Sequence, residues 1–166
     1  IWDRGAVPGR LPEFMGVIGA ATGGRRLLPD ADLVLLLGAP ADYRVGYLQP
    51  PAISPEARVI RVDVDAGRLG QGAAPDLAIA ADPCSFLEQF LPAAQRVVPF
   101  AAWLAEAQQR RDAFREGILG AARRDGMRAI HVIEALGEVI ADNTALVVDG
   151  GCIGQWFHQL LCDRYP

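Results

Sequence analysis

Residues 32–38 read DLVLLLG, a short apolar run of Leu and Val that ends in a glycine. Two other runs have the same form, ARVIRVDVD at 57–65 and ALVVDG at 145–150. Short, near-continuous apolar runs are typical of strands in a parallel sheet that is covered on both faces. The stretch DLAIAAD at 76–82 is a weaker fourth candidate.

The segments around these strands have the pattern of amphipathic helices. They cover residues 14–28, 83–94, 99–124 and 129–143. Alternating strands and helices predict the α/β class, with an open parallel sheet, right-handed crossovers and helices on both faces. The last strand and helix form an incomplete C-terminal α/β segment, because one strand cannot make a sheet.

The long helix candidate at 99–124 interrupts this alternation and divides the chain. We expect a first domain at 1–96, a linker helix at 97–128, and the first part of another domain at 129–166. The chain does not begin with Met. We therefore expect it to be a piece of a longer protein, with its first domain truncated at the N-terminus.

The composition and net charge argue against several classes of function. The net charge is −4 and no long block of like charge is present, which argues against nucleic acid as a partner. No apolar run is long enough for a bilayer, so no membrane role is expected. Three cysteines without a CxxC pair favour a reducing cytoplasm and predict no zinc site. The chain has no lysine, which excludes Schiff-base chemistry and a P-loop.

Polar residues and glycines follow the predicted strands, where ligands of open parallel sheets bind. A nucleotide site is one interpretation, formed by Gly38, Asp63, Asp65 and Asp82. Asp65 and Asp82 are alternatively helix N-caps. Asp42 and Arg44 either bind polar ligand groups or form an ion pair with each other. No GxGxxG follows any strand, so the usual dinucleotide fingerprint is missing.

The last corner reads DGGCIGQW, residues 149–156. Gly151 permits a tight turn, and Gly154 and Gln155 open a helix whose free N–H groups suit an anion. Cys152 is interpreted as a packed or bystander thiol rather than a nucleophile, because the sequence places no base beside it. Similarly, His158 is interpreted as a structural residue, and Trp156 and Phe157 as packing residues.

The order of these segments resembles the thiamine-diphosphate-dependent enzymes of the acetolactate synthase, benzoylformate decarboxylase and oxalyl-CoA decarboxylase superfamily. The resemblance covers nearly the whole chain. It rests on LLPDADLVLLLGAPADYRVG, on ARVIRVDVDAGRLGQGAAPDLAIAADPCSFLEQFL and on IHVIEALGEVIADNTALVVDGGCIGQW.

The resemblance implies a Rossmann-like central domain followed by the start of the cofactor-binding domain. It implies thiamine diphosphate and Mg²⁺ in the parent protein, with FAD or ADP in the central domain of some members. Gly151, Gly154 and Gln155 match positions near the diphosphate, and Trp156 stands where acetolactate synthases often carry a His. The activating glutamate of the first domain and the Gly-Asp-Gly metal motif of the third are missing from this chain.

Three functions follow from these observations. The first is a fragment, inactive alone, of a lyase or carboligase that acts on 2-oxo acids or 2-hydroxyacyl substrates and forms homo-oligomers. The second is a stand-alone Rossmann-like module that binds ADP, FAD or CoA. The third is a structural domain that binds no nucleotide, and fold alone does not choose among the three.

Overall fold

The structure is a computed structural model that describes residues 6–9, 11–17, 26–94, 100–122, 126–141, 143–149 and 151–161. The chain forms two compact units. One contains residues 26–100, and the other contains residues 1–25 and 101–166. The predicted domain boundaries at residues 96 and 128 stay a prediction.

A three-stranded parallel sheet forms the centre of the 26–100 unit. Its strands are β1 (Leu33–Leu37), β2 (Arg58–Asp63) and β3 (Leu77–Ala80), in that spatial order. Leu33 pairs with Arg58, and Ile60 pairs with Leu77. The sheet confirms the predicted α/β class and three of the predicted strands.

The two crossovers of this sheet contain no α-helix, although parallel strands are usually joined through one. Residues 38–57 and 64–76 are all described, and their only helical segments are the 3₁₀ turns Tyr43–Leu48 and Ala66–Arg68. Three side chains of the first crossover pack with Val59 of β2 into a small hydrophobic core. They are Ala41, Leu48 and Ile53, and all four residues are buried. The first crossover therefore covers the sheet with packed loops rather than with a helix.

A buried arginine holds the second crossover against β2. Arg61 is 1% exposed, and its Nη1 donates to the carbonyl oxygens of Leu69 at 2.8 Å and Gln71 at 2.5 Å. A helix would satisfy such carbonyls internally, whereas an irregular buried loop needs other donors. Arg61 supplies them from the middle of the strand.

The described residues form four α-helices: α1 (Pro83–Ala93), α2 (Ala101–Ala122), α3 (Ala129–Val139) and α4 (Cys152–Leu160). They confirm the helices predicted at 83–94, 99–124 and 129–143, although α3 ends earlier than predicted. The core between α3 and α4 contains the buried residues Ile130, Ile133, Phe157, Leu160 and Leu161. No helix in the described part of the chain is long and apolar enough to cross a membrane.

Two predictions about elements were wrong where the structure describes them. Residues 145–149 form no strand, and Val147 is 98% exposed, because no strand among the described residues pairs with this segment. Residue 150 lies outside the described residues. The helix predicted at 14–28 is not helical at 14–17 or 26–27, and residues 18–25 lie outside the described residues.

Candidate functional site

The carboxyl edge of the sheet brings together three of the predicted nucleotide residues. Gly38 follows β1, and its N–H donates to the Val62 carbonyl at 2.8 Å. Asp63 ends β2, and its carbonyl accepts from Ala81 at 3.1 Å, next to Asp82. The strand ends are thus in register, so Gly38, Asp63 and Asp82 lie along one edge.

Gly38 is required by the close approach of this edge to α1. Its φ is +61°, which favours glycine, and a Cβ there would lie 3.1 Å from Cγ of Pro83. The end of β1 therefore packs directly against the first residue of α1. The role of Gly38 in a nucleotide site stays a prediction, because the neighbour that the structure shows is Pro83.

Asp63 is the buried acid of this edge, with an exposed fraction of 3%. Its Oδ1 accepts from the N–H of Asp65 at 2.9 Å, but its Oδ2 has no hydrogen-bond partner among the described residues. Buried polar atoms are nearly always hydrogen-bonded, and an unsatisfied one costs about 1–3 kcal/mol. Oδ2 of Asp63 can therefore accept a hydrogen bond from a donor that the described residues do not supply.

Asp65 and Asp82 cap helical segments. Asp65 Oδ1 accepts from the N–H of Gly67 at 2.8 Å, and Asp82 Oδ2 accepts from the N–H of Ser85 at 2.9 Å. Both fit the preference for Asp at N-caps. The capping interpretation of these two residues is thus confirmed, while a second role in nucleotide binding stays a prediction.

Asp42 and Arg44 bind each other in the loop after β1. Arg44 Nε lies 3.0 Å from Oδ1 and 2.9 Å from Oδ2 of Asp42, and Arg44 Nη2 also contacts Oδ2. The side-chain hydrogen bonds from Arg44 hold the pKa of Asp42 below its usual value. Of the two alternatives for this pair, the structure contains the ion pair.

The C-terminal corner carries the predicted diphosphate residues at the start of α4. Gly151 is the N-cap, and no side chain caps the helix. The first N–H groups of a helix have no intrahelical partner, so an uncapped N-terminus can bind an anion. Gly154 and Gln155 lie within the first turns, since α4 begins at Cys152.

Gly154 allows α4 to pack against the preceding segment. It is buried, and a Cβ there would lie 2.2 Å from the carbonyl oxygen of Asp149 and 3.0 Å from a Val148 methyl group. Any side chain at this position would push the helix away from residues 148–149. The glycine therefore fixes the geometry of the corner.

The predicted packing roles of Trp156 and Phe157 are confirmed, whereas the interpretations of Cys152 and His158 stay predictions. Phe157 is 3% exposed and belongs to the α3–α4 core, against which Trp156 also packs. His158 stacks edge-on against Phe157, with ring centroids 6.0 Å apart. Cys152 is a free, exposed thiol. Among the described residues, no three His, Cys, Asp or Glu side chains are grouped so that they could hold a metal ion.

Sequence reasoning missed Arg61. Its signal was an arginine in the middle of the apolar run at 57–65, with side chains of Val and Ile on either side. Such a residue is rarely buried without partners, so it indicated that hydrogen-bond acceptors lie over the strand.

The chain matches the family model described as "Thiamine pyrophosphate enzyme, central domain" over residues 2–90, more than half of its length. It is 29% identical over 158 residues to "Acetolactate synthase isozyme 1 large subunit" of Escherichia coli (strain K12), covering 93% of this chain and 27% of that protein. It is 28% identical over 135 residues to "2-hydroxyacyl-CoA lyase 2" of Bos taurus, covering 76% of this chain and 21% of that protein.

A third relative is "Probable acetolactate synthase 2, chloroplastic" of Oryza sativa subsp. japonica, 31% identical over 145 residues. That match covers 82% of this chain and 20% of the relative. The chain thus spans about a quarter or less of the length of these relatives. Together with the parallel sheet, the match over residues 2–90 shows that the chain belongs to the thiamine pyrophosphate enzyme family and contains its central domain.

Proposed function

We propose that the parent protein is a thiamine-diphosphate-dependent lyase or carboligase that acts on 2-oxo acids or 2-hydroxyacyl substrates. The observation that carries this proposal is the family match over residues 2–90. The relatives support it, since two are named acetolactate synthases and one a 2-hydroxyacyl-CoA lyase.

The start of α4 fits the diphosphate end of the cofactor. The uncapped N–H groups of its first turn suit phosphate oxygens, and Gly151, Gly154 and Gln155 would line that end. Thiamine diphosphate, when bound, supplies a nucleophilic carbon and an electron sink for cleaving or forming C–C bonds. The contribution of this chain would be to hold and orient the diphosphate, while Mg²⁺ would take its ligands from other parts of the parent.

The test is to express the complete reading frame that contains this segment. With thiamine diphosphate and Mg²⁺, we expect carbon–carbon bond cleavage or ligation with either pyruvate or a 2-hydroxyacyl-CoA. We also expect a glutamate-bearing domain upstream and a Gly-Asp-Gly followed by Asn downstream. A reading frame that starts and stops near residues 1 and 166 would contradict the proposal.

The 166-residue chain should be inactive alone, because the activating glutamate and the metal motif are missing from it. The measurement is product formation by the purified chain with cofactor, Mg²⁺ and both substrates. Turnover comparable with that of the complete protein would refute this part of the proposal.

Gly154→Ala tests the diphosphate corner in the complete protein. The added methyl would clash with the Asp149 carbonyl, so we expect weaker binding of thiamine diphosphate, measured by calorimetry. Gly120→Ala in α2 is the matched control, because a Cβ there meets no atom within 4 Å. Equal cofactor affinity in both variants would show that the corner does not contact the diphosphate.

A second function is favoured by the unpartnered Oδ2 of Asp63. We propose that the carboxyl edge at Gly38, Asp63, Asp65 and Asp82 binds the adenosine part of ADP, FAD or CoA. A tight ligand should raise the free energy of unfolding by about 2.7 kcal/mol at a hundredfold excess over Kd. Thermal unfolding with each nucleotide measures this, and Asp63→Leu should abolish the effect. If no nucleotide stabilises the unchanged chain, the domain is structural.

The parent is further proposed to be a cytoplasmic homo-oligomer. The exposed free thiols of Cys84 and Cys152 support a reducing compartment. The exposed apolar side chain of Val147 supports assembly, because exposed apolar surface favours contact with another chain. Light scattering of the complete protein tests the assembly, and a monomer would contradict it.

A further inference from the structure

An irregular segment near the N-terminus, residues 11–17, is bound by side chains of two helices. It forms neither a helix nor a strand, so its carbonyl groups need partners from elsewhere. Three of these carbonyls each accept a hydrogen bond from a side chain of α2 or α4. The pairs are Gln108 with Pro12 at 2.9 Å, Arg111 with Phe14 at 3.4 Å and Gln159 with Val17 at 2.9 Å. Residues 11–17 are thus attached to both helices within the unit of residues 1–25 and 101–166.

Gln159 on α4 is the buried donor of the three. It is 3% exposed, whereas Gln108 and Arg111 on α2 are half-buried. A buried amide that loses its partner costs more free energy than an exposed one, because water cannot take the place of the partner. The hydrogen bond from Gln159 to Val17 therefore constrains α4 more strongly than a bond at the surface would.

The two bound faces of α4 are opposite each other. Phe157 marks one face, since it packs against α3 in the core. Gln155 and Gln159 each lie two residues from Phe157, and two residues turn an α-helix by roughly 200°. Both glutamines therefore lie on the other face, and their spacing of four residues makes them neighbours along it. The face of α4 that carries Gln155 is thus the face bound to Val17 through Gln159.

The hydrogen bond of Gln159 sets the rotation of α4 more closely than the apolar core does. α4 spans nine residues, about two and a half turns, so few contacts define its direction. Apolar contacts are not directional, whereas a hydrogen bond needs its donor and acceptor about 3 Å apart and well aligned. The bond to Val17 therefore limits how far α4 can turn on the α3 core, and with it where Gln155 and the first-turn N–H groups point.

We propose that Gln159 is a positioning residue for the start of α4, acting through its hydrogen bond to the carbonyl of Val17. Its effect on cofactor binding rests on the proposed function, in which the first turn of α4 holds the diphosphate. Its effect on the helix itself does not, and it can be measured without cofactor.

Hydrogen exchange of the Gln155 amide in the 166-residue chain tests the effect on the helix. This N–H is the first of α4 with an intrahelical acceptor, the Gly151 carbonyl at 3.4 Å. Gln159→Met, which keeps the length of the side chain but removes the donor, should speed its exchange about fivefold or more. Gln108→Met is the matched control, because it removes the other glutamine bond to residues 11–17, also 2.9 Å long, from α2 instead of α4.

The exchange of the Ile133 amide in α3 separates positioning from a general loosening of the unit. It should stay within about twofold in Gln159→Met, because the α3 core is on the other face of α4. Equal acceleration of the Gln155 amide by both variants, or acceleration of Ile133 by as much as Gln155, would overturn the proposal. If Gln159→Met does not fold, Gln159→Asn replaces it, since its amide is one methylene too short to keep the bond to Val17.

Calorimetry of the complete protein with thiamine diphosphate and Mg²⁺ tests the effect on the cofactor. Gln159→Met should raise the Kd about fivefold or more, while Gln108→Met should leave it within about twofold. Equal Kd values in the two variants would overturn the role of Gln159 in cofactor binding. If the unchanged protein does not bind thiamine diphosphate, the proposed function fails, and the exchange of the Gln155 amide decides the role of Gln159.

Discussion

Arg44 Nε lies within 3.0 Å of both carboxylate oxygens of Asp42, two residues earlier in the loop after β1. The two side chains are about one quarter exposed, at 25% and 27%, so solvent screens the pair incompletely. The hydrogen bonds from Arg44 hold the pKa of Asp42 below its usual value, despite partial burial that acts in the opposite direction. The pair therefore links folding of this loop to pH.

Asp42→Asn should remove part of the acid sensitivity of the 26–100 unit. A carboxyl whose pKa is lower when folded contributes stability above its unfolded pKa of about 3.9, and that stability is lost as the pH falls through the folded value. The unchanged chain should thus lose more stability below about pH 4 than the variant does. Urea unfolding across this pH range measures it, and parallel pH curves would contradict the prediction.

Gly72→Ala should destabilise the contact between the two crossovers. Gly72 has φ +75°, and a Cβ there would lie 2.7 Å from the carbonyl oxygen of Tyr47. We expect a loss of about 1–3 kcal/mol in the free energy of unfolding. The control Gly120→Ala, in an open position of α2, should gain about 0.5–1 kcal/mol from helix propensity. Equal stabilities would show that the crossover relaxes to admit the methyl group.

Ile133→Ala should open a cavity between α3 and α4. Ile133 is 1% exposed and belongs to the core with Phe157 and Leu160. Truncation of such a residue costs about 2–5 kcal/mol. Val132→Ala, one residue earlier and 39% exposed, should change stability by less than about 0.5 kcal/mol. Amide hydrogen exchange in α3 and α4 distinguishes the two variants, and similar protection in both would argue against this core.

Asp82→Ala should fray the start of α1, because it removes the hydrogen bond to the N–H of Ser85. The expected cost is about 0.5–2 kcal/mol, and Asp82→Ser should restore most of it, since Ser is also a good N-cap. Exchange of the Ser85 amide is the direct measurement. If both variants match the unchanged chain, capping is not the role of Asp82.

The sequence predicted the sheet well because each strand lies in a locally apolar run with a turn residue after it. It failed at 145–149, where the same signal produced no strand. An apolar run shows only that a segment is able to pair. Pairing itself needs a partner strand, and none of the described strands pairs with residues 145–149. The error therefore came from long-range pairing rather than from local preference.

The roles of the candidate site residues were likewise predictable only where they depend on neighbours in the sequence. Asp65 and Asp82 were predictable as caps because capping depends on neighbours within three residues. The role of Arg61 was not, since its partners Leu69 and Gln71 come from a crossover whose path is set by tertiary packing. The open oxygen of Asp63 likewise followed only from knowing which donors the fold leaves out of reach.

The hydrogen bonds from Arg61 to the carbonyls of Leu69 and Gln71 limit which changes of loop length this domain tolerates. Loops ordinarily tolerate insertions and deletions. Here, however, the two carbonyls must stay within hydrogen-bond distance of Arg61, whose side chain is fixed on β2. Single-residue insertions between 64 and 69 should therefore reduce the folded yield, whereas insertions near the exposed Pro55 and Glu56 should not, and a library screened for folded protein would show the difference. The length of residues 64–76 is thus limited by the distance from Arg61 to the two carbonyl oxygens that it binds.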